Sequence, residues 1–275
     1  MEYGLRIVVS TVVRPYRKDM TNQESPMNTV LITGCSSGFG LETARHFLER
    51  GWQVVATMRT PRADVLPTSE RLRLLALDVT DPASIRRAVD AAGPIDVLVN
   101  NAGFGAAMPF EAASLETARA LFETNTFGTM AVTQAVLPQM RERRTGAIVN
   151  VTSSVTLKAL PLVSVYRASK AAVNAFTESL AAEVEAFGVR VRLVLPGRSP
   201  ETRFGDNARA HMAGLDHPAY AGLVKRVFAQ FADDVGPLTH ARDVAEAVWR
   251  AATEPGTPMR LPAGADAQAW ARETT

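Results

Sequence analysis

Continuous runs of apolar residues recur along the chain from residue 28 onward, each ending in small or polar residues. Apolar runs without alternation are typical of strands that are buried on both faces of a parallel sheet. The runs that predict strands are 28–33, 53–58, 73–79, 95–100, 146–151, 190–195 and a short one at 259–261. Helical patterns lie between them, the clearest at 41–50, 84–92, 115–140, 163–187 and 241–253. This alternation predicts a single α/β domain with a doubly wound, mostly parallel seven-stranded sheet.

The chain divides into three predicted parts, of which residues 28–262 form the domain. Residues 1–27 contain an apolar run that is too short to cross a bilayer, and we expect a poorly ordered extension, with Met27 as an alternative start. Residues 263–275 are predicted as a C-terminal tail. Residues 198–237 show no strand pattern, which predicts a lid over the carboxyl edge of the sheet; a surface insertion is the alternative.

Composition argues against several kinds of partner. The net charge of +2, from 30 basic and 28 acidic residues, provides no field strong enough to favour nucleic acid or a membrane surface. Cys35 is the only cysteine, so no intramolecular disulfide can form, and we expect a reducing, cytoplasmic location. The four histidines are scattered without ligand spacing, so no metal site is predicted.

A glycine-rich loop joins the first predicted strand to the first predicted helix. Its pattern is Gly-x-x-x-Gly-x-Gly over residues 34–40. Glycines allow a close approach of the backbone to a pyrophosphate, and a helix N-terminus presents free N–H groups and a positive dipole end. We therefore predict nucleotide binding here, a tight structural turn being the alternative. The expected contacts are Gly34, Ser36, Ser37, Gly38, Phe39 and Gly40.

The ends of the next strands predict which dinucleotide binds. No acid follows the second strand; Arg59 stands there, with Arg62 nearby. NADP(H) differs from NAD(H) by a phosphate on the 2′ position of the adenosine ribose. An arginine can bind this phosphate, whereas an acid would repel it, so NADP(H) is favoured over NAD(H); an ordinary exposed arginine is the alternative. Asp78 is placed to accept from an adenine amino group, unless it is a turn or N-cap aspartate, and Val79 beside it is a further expected cofactor contact. After the fourth strand, Asn101, Ala102 and Gly103 suit a close approach to the same ligand.

Tyr166 and Lys170 form a candidate acid–base pair, because residues i and i+4 share a helix face. A lysine ammonium near a phenol would lower the tyrosine pKa into a range useful for proton transfer; a solvated helix face is the alternative. Ser153 follows the fifth strand at the same edge of the sheet. Asn125 interrupts an apolar helical pattern, which predicts a kink or a bound water.

These motifs occur in an order and at intervals that resemble the short-chain dehydrogenase/reductase family, over residues 28 to about 262. The residues that carry the resemblance are Thr33-Gly34-x-x-x-Gly38-x-Gly40, Asp78, Asn100-Asn101-Ala102-Gly103, Asn125, Ser153, Tyr166-x-x-x-Lys170 and Pro196-Gly197. The glycine loop and Ala56-Thr57-Met58-Arg59 look most like the branch with NADP-preferring hydroxysteroid and retinol dehydrogenases. The resemblance implies a Rossmann-type fold and a homodimer or homotetramer that packs through the helices at 115–140 and 163–187.

The resemblance also implies a role for each matching residue. Tyr166 would exchange a proton with the substrate oxygen, and Lys170 would lower the pKa of Tyr166 and bind the nicotinamide ribose. Ser153 would hold the substrate oxygen, with Ser154 as the fallback, and Asn125 would shape its helix for a water relay to Lys170. The cofactor would also contact Pro196, Gly197 and Thr202. Thr202 is the nearest equivalent of a family threonine that touches the nicotinamide carboxamide, despite the intervening residues 198–201.

We therefore expect an oxidoreductase that transfers a hydride between NADP(H), or alternatively NAD(H), and a small-molecule carbonyl or alcohol. A catalytically silent NADP(H)-binding regulatory protein of the same fold is the alternative, although the four catalytic positions hold the residue types that the chemistry requires. A nucleotide-sugar epimerase or dehydratase is disfavoured, because its glycine loop has a different spacing and its C-terminal part is longer.

Overall fold

Seven parallel strands form one sheet in the order β3-β2-β1-β4-β5-β6-β7. The computed structural model describes residues 28–233 and 236–273. The predicted extension at 1–27 lies outside the described residues, as do two residues of the predicted lid, 234 and 235. The strands are β1 Thr29–Ile32, β2 Gln53–Met58, β3 Leu72–Ala76, β4 Val97–Asn100, β5 Gly146–Val151, β6 Val189–Pro196 and β7 Arg260–Ala263. The predicted doubly wound parallel sheet is confirmed.

Helices cover both faces of the sheet. They are α1 Gly38–Glu49, α2 Pro82–Ala92, α3 Leu115–Phe122, α4 Gly128–Arg143, α5 Ser164–Val184, α6 Phe204–Arg209, α7 Ala221–Asp233, α8 Ala241–Thr253 and α9 Ala265–Glu273. Successive strand residues point to opposite faces: Val30 and Ile32 pack with α1 and α8, whereas Leu31 packs with α2, α4 and α5. Both faces of the central strands are therefore buried, which explains their unbroken apolar runs.

Two predicted elements differ from the observed ones. The helix expected over 115–140 contains a π-helical turn, Glu123–Phe127, between α3 and α4. The predicted tail contains helix α9, which the sequence pattern did not indicate. Among the residues that the structure describes, no helix is long and apolar enough to span a membrane.

The strand order reverses between β1 and β4, and doubly wound sheets bind ligands at the carboxyl edge of such a switch point; we refer to this edge as the crevice. The segment after β6 reaches the same edge. We refer to residues 198–233 as the lid segment; it contains α6, a short turn at Pro218–Tyr220 and α7.

Candidate active site

Side-chain hydrogen bonds join the loops after β1 and β4 across the crevice. Thr33 Oγ1 accepts from the N–H groups of Asn101 at 2.9 Å and Ala102 at 3.0 Å. Asn101 Nδ2 in return donates to the carbonyl oxygens of Thr33 at 2.9 Å and Gly34 at 3.2 Å. The glycine loop and residues 101–103, predicted as separate cofactor contacts, therefore form one structural unit.

The glycines of this loop leave space that a side chain would fill. Gly34 and Gly38 have φ angles of +75° and +58°. A Cβ on Gly40 would overlap the carbonyl oxygen of Gly34 and lie 2.5 Å from Asn101 Nδ2. Ser37 precedes α1, and its side chain makes no capping hydrogen bond in the described structure, so the first N–H groups of the helix lack a partner from it. This arrangement fits the pyrophosphate of a dinucleotide.

Substitution of Gly40 tests the cradle. In Gly40→Ala the new methyl group meets backbone, so α1 or the loop must shift, and we expect the free energy of unfolding to fall by about 1–3 kcal/mol. Dinucleotide affinity should fall as well. Gly256→Ala is the matched control, because nothing lies within 4 Å of a Cβ at that position. Urea denaturation and a fluorescence titration with NADPH measure both effects; equal results for the two variants would contradict the prediction.

The residues predicted at the adenosine end lie beside one another. Arg59 is exposed after β2, and its charge is one of the causes that lower the pKa of Asp78, after the hydrogen bonds from Thr80. Asp78 Oδ1 accepts from the N–H of Thr80 at 2.9 Å and from its hydroxyl at 2.8 Å, so Asp78 is a turn aspartate, whereas Asp81 is the N-cap of α2. An adenine contact of Asp78 stays a prediction.

Two side chains near this end make contacts that the sequence did not indicate. Arg62, noted only as a neighbour of Arg59, donates from Nη2 to the carbonyl oxygen of Ser36 at 3.2 Å and so reaches the glycine loop. Val79, predicted as a cofactor contact, is buried and packs against α4: a Cβ on Gly128 would lie 2.7 Å from its Cγ2 atom. Its side chain is thus part of the core.

Four predicted catalytic residues meet at the other end of the crevice. Lys170 Nζ donates to the carbonyl oxygen of Val151 at 3.0 Å, and the Ser153 hydroxyl forms a hydrogen bond with Tyr166. A Cβ on Gly103 would lie 3.3 Å from Lys170 Nζ and 2.8 Å from Asn125 Oδ1, so the loop after β4 touches both side chains. The described contacts place Ser153, not the fallback Ser154, at the phenol.

Asn125 lies in the π-helical turn and uses its whole carboxamide. Its Oδ1 accepts from the N–H of Phe104 at 3.0 Å, and Nδ2 donates to the carbonyl oxygen of Phe104 at 3.0 Å and to Ser169 Oγ at 3.1 Å. These bonds hold the loop after β4 against α5. The helix is irregular at Asn125, and such π-helical turns are frequent at functional sites; the kink or bound water and the water relay stay predictions.

Burial governs the titration of the acid–base pair. It raises the pKa of Tyr166 to about 12, a shift that the hydrogen bond with Ser153 partly opposes. Burial also lowers the pKa of Lys170 to about 8. Burial thus favours the uncharged form of each group, and the prediction that Lys170 lowers the pKa of Tyr166 stays a prediction. The residue that lowers it is Ser153.

The turn after β6 brings further predicted residues to the glycine loop. A Cβ on Gly38 would lie 3.4 Å from Thr202 Cβ, and the Thr202 hydroxyl donates to the carbonyl oxygen of Ser199 at 2.9 Å. Thr202 therefore faces the cradle, and its contact with a carboxamide stays a prediction. Thr152 Oγ1 and Ser199 Oγ are buried at this edge without a hydrogen-bond partner in the described part of the chain. Such orphaned atoms fit a polar ligand or water.

Apolar residues surround the phenol of Tyr166. Tyr166 clusters with Ala106, Met108 and Leu121, and partly buried Phe104, Ala113, Val155, Val163 and Val165 pack against that cluster. The Phe204 ring, which belongs to the lid segment, lies 5.7 Å from the Tyr166 ring, measured between ring centroids. The same ring packs on Gly105, where a Cβ would come within 2.6 Å of Phe204 Cζ. No sequence pattern singled out Gly105 and Phe204, because their contact depends on two loops that are far apart in the chain.

The lid segment has two further contacts with the loop that follows β4. The rings of His211 and Phe104 lie 4.4 Å apart, and the Tyr220 hydroxyl donates to Glu111 at 2.8 Å. The segment therefore packs over the apolar surroundings of Tyr166, as a lid would.

Comparisons with known proteins identify the family and agree with the fold. A family model described as short chain dehydrogenase matches residues 28–213. The chain is 35% identical over 239 residues to 3-ketodihydrosphingosine reductase of Bacteroides thetaiotaomicron, covering 86% of this chain and 87% of that protein. It is 42% identical over 181 residues to retinol dehydrogenase 8 of Bos taurus, covering 62% of this chain and 58% of that protein.

Solved structures show the same fold. A short chain dehydrogenase from Burkholderia cenocepacia J2315 in complex with NADP has a TM-score of 0.71 and 30% identity, covering 90% of this chain and 92% of that chain. A 3-ketoacyl-(acyl-carrier-protein) reductase from Brucella melitensis complexed with NADH has a TM-score of 0.72 and 25% identity, covering 86% of this chain and 96% of that chain.

Proposed function

The chain belongs to the short-chain dehydrogenase/reductase family, and on that premise we propose that it transfers a hydride between NADP(H) and a carbonyl or alcohol substrate. One observation carries the proposal. The buried phenol of Tyr166 is hydrogen-bonded to Ser153, with Lys170 one helical turn away, at the same sheet edge as the glycine cradle. A proton donor, an orienting hydroxyl and a dinucleotide site are thus assembled together.

Each residue of this site has a chemical task. A bound nicotinamide dinucleotide supplies or accepts the hydride. Tyr166 donates a proton to the substrate oxygen in reduction, or removes it in oxidation. Ser153 orients that oxygen, and the Lys170 ammonium stabilises negative charge that develops on the phenol oxygen. The glycine loop and the N-terminus of α1 hold the pyrophosphate.

Substrate chemistry follows from the surroundings of Tyr166. Phe104, Met108, Leu121 and Phe204 present apolar surface toward the phenol. A carbonyl or alcohol that carries an apolar substituent could bury that group here, which stabilises the complex by roughly 25 cal/mol per Å² of apolar area removed from water.

The charge at the adenosine end supports a preference for NADP(H). Arg59 and Arg62 lie at the end of β2 and beside the glycine loop, and Arg62 already reaches the Ser36 carbonyl. Guanidinium groups bind phosphate oxygens in pairs of hydrogen bonds. A 2′-phosphate between these two arginines would be held by charge as well as geometry.

Arg59→Asp tests this preference. Loss of a charged hydrogen bond, worth about 1.5–3 kcal/mol, should weaken NADPH binding by about 10–100-fold, while NADH affinity stays the same or rises. Arg71→Asp is the matched control, since Arg71 is also exposed but lies before β3, at the opposite edge of the sheet. Fluorescence titrations measure the dissociation constants of NADPH and NADH. An unchanged ratio of these two constants in Arg59→Asp would refute the assignment.

Turnover by the unmodified protein tests the function as a whole. Oxidation of NADPH is followed with a panel of apolar and charged ketones and aldehydes, and the reverse reaction with the matching alcohols. We expect turnover, faster with apolar than with charged substrates. Tight NADPH binding without turnover of any member of the panel would favour the catalytically silent regulatory protein.

We also propose that the protein self-associates in the cytoplasm as a homodimer or homotetramer. Two observations support contact through α4 and α5: Phe127, which precedes α4, is 56% exposed, and Ala171 and Ala175 are exposed small residues on α5. Sedimentation equilibrium measures the mass in solution, and a monomer at all concentrations would exclude this assembly.

A further inference from the structure

A buried carboxylate on the C-terminal helix lies against the turn that follows β6. We propose that Asp266 and Thr239 are positioning residues, which hold the turn Pro196–Gly197–Arg198 in the conformation that receives the nicotinamide part of the cofactor. The inference rests on the proposed function, because it assumes that a dinucleotide binds at this edge. It assigns a role to helix α9, which carries Asp266 and lies outside the predicted site.

Asp266 is 8% exposed and accepts hydrogen bonds from two directions. Its Oδ2 accepts from the backbone N–H of Arg198 at 2.6 Å, and its Oδ1 accepts from the hydroxyl of Thr239 at 2.6 Å. A buried carboxylate needs such partners, since an unpaired one costs several kcal/mol. The carboxylate thus fixes the backbone directly after Gly197.

Thr239 is fully buried and completes the connection. Its hydroxyl oxygen accepts from the N–H of Gly197 at 3.0 Å, and its own N–H donates to the carbonyl oxygen of Arg198 at 2.9 Å. Gly197 and Arg198 are therefore held by both the side chain and the backbone of one residue. Three hydrogen bonds therefore join the turn to Asp266 and Thr239.

Two glycines make this close approach feasible. A Cβ on Gly197 would overlap both carboxylate oxygens of Asp266, and a Cβ on Gly264 would overlap Thr239 Oγ1. Gly264 also has a φ angle of +95°, which side chains rarely adopt. Gly197, which is predicted to contact the cofactor, is thus also required for the close packing of the Asp266 carboxylate.

The rest of the turn connects this support to the cofactor cradle. Thr202, at the end of the turn, lies next to Gly38 of the glycine loop. Glu201 is bound to the N-terminus of α8, where its Oε1 accepts from the N–H of Ala241 at 2.6 Å. Residues 196–202 are consequently fixed at their start by Asp266 and Thr239 and near their end by α8, directly before Thr202.

Hydrogen-bond chemistry distinguishes two substitutions of Asp266. In Asp266→Asn, the carboxamide oxygen can accept from Arg198 while its NH₂ donates to Thr239 Oγ1, whose proton then turns to the carbonyl oxygen of Ala263, 2.9 Å away. Every group keeps a partner. In Asp266→Ala, the N–H of Arg198 loses its acceptor and the turn is released.

The experiment compares Asp266→Ala with Asp266→Asn in the full chain. Hydrogen exchange of the ligand-free protein should be at least about tenfold faster at residues 197–202 in Asp266→Ala, with little change in Asp266→Asn. NADPH affinity should fall by about tenfold in Asp266→Ala only. Affinity for adenosine 2′,5′-bisphosphate, which lacks the nicotinamide, should change by less than about twofold in both variants. If Asp266→Ala does not fold, the same measurements compare Thr239→Val, which loses the hydroxyl group, with Thr239→Ser, which keeps it.

The outcomes separate this inference from the proposed function. Equal losses of affinity for NADPH and for the nicotinamide-free fragment would show general damage and overturn the positioning role. Unchanged exchange at 197–202, or an Asp266→Asn variant that behaves like Asp266→Ala, would also overturn it. If the unmodified protein binds NADPH but turns over no carbonyl or alcohol, the proposed function fails while the positioning of the cofactor stands.

Discussion

Replacing Tyr166 with phenylalanine is expected to lower kcat for carbonyl reduction by about 10²–10⁴-fold, the usual contribution of a general acid. The phenol is 6% exposed and is hydrogen-bonded to Ser153, and the side chains packed around it are apolar. Bulk water therefore has little access to replace the lost proton donor. The ring itself remains in Tyr166→Phe, so packing against Phe204 is retained.

Single-turnover measurements with saturating NADPH separate the chemical step from binding. We expect the rate of hydride transfer to fall while NADPH affinity stays within about twofold, since removal of one hydroxyl leaves the glycine cradle intact. Thermal unfolding provides the structural control. Undiminished hydride transfer in the folded Tyr166→Phe variant would show that another group supplies the proton, and the assignment of Tyr166 would be abandoned.

The backbone of the fold could be predicted because it depends on local patterns. A strand buried on both faces must be apolar throughout, and a helix that covers a sheet must be apolar on one side, so the order of elements is visible in the sequence. The glycine loop could be found for a similar reason: its spacing is local, and it lies between a strand and a helix. Helix α9 was missed because its pattern is short and weak.

The contacts within the site could not be predicted, because they join segments that are distant in sequence. Asp266 supports Gly197, Arg62 reaches Ser36 and Phe204 occupies the space left by Gly105. Each depends on loop conformation after strands that only the fold brings together. The side chain of Val79 packs into the core, which its position beside Asp78 did not indicate, and its cofactor contact stays a prediction.

The titration of the acid–base pair depends on burial, which sequence spacing does not reveal. Sequence spacing places Lys170 one turn from Tyr166 and suggests a charge effect, but burial depends on the loops and helices around both groups. In the structure, burial raises the pKa of Tyr166 to about 12 and lowers that of Lys170 to about 8. The ammonium of Lys170 is thus present below about pH 8 and is lost as the pH rises through that value.

Carbonyl reduction should accordingly lose efficiency above about pH 8. Because kcat/KM reports the free enzyme, its decline with rising pH should follow the pKa of Lys170, since Tyr166 keeps its proton to about pH 12. Lys170→Met should lower kcat/KM by about 10²–10³-fold, the loss expected when one electrostatic stabiliser is removed, and should abolish the decline near pH 8. Lys170→Arg keeps its charge throughout this range, so whatever activity it retains should also show no decline there.

Stability measurements test the same pKa without reference to catalysis. The unfolded chain holds the Lys170 proton up to about pH 10.5, whereas the folded chain releases it near pH 8. Between these values the unfolded state binds more protons, so the free energy of unfolding of the unmodified protein should rise with pH relative to Lys170→Met. The comparison cancels the contributions of Tyr166 and Cys35, which titrate in both proteins. If the difference in unfolding free energy does not change between pH 8 and pH 10, Lys170 has an ordinary pKa, and any decline of activity near pH 8 belongs to another group.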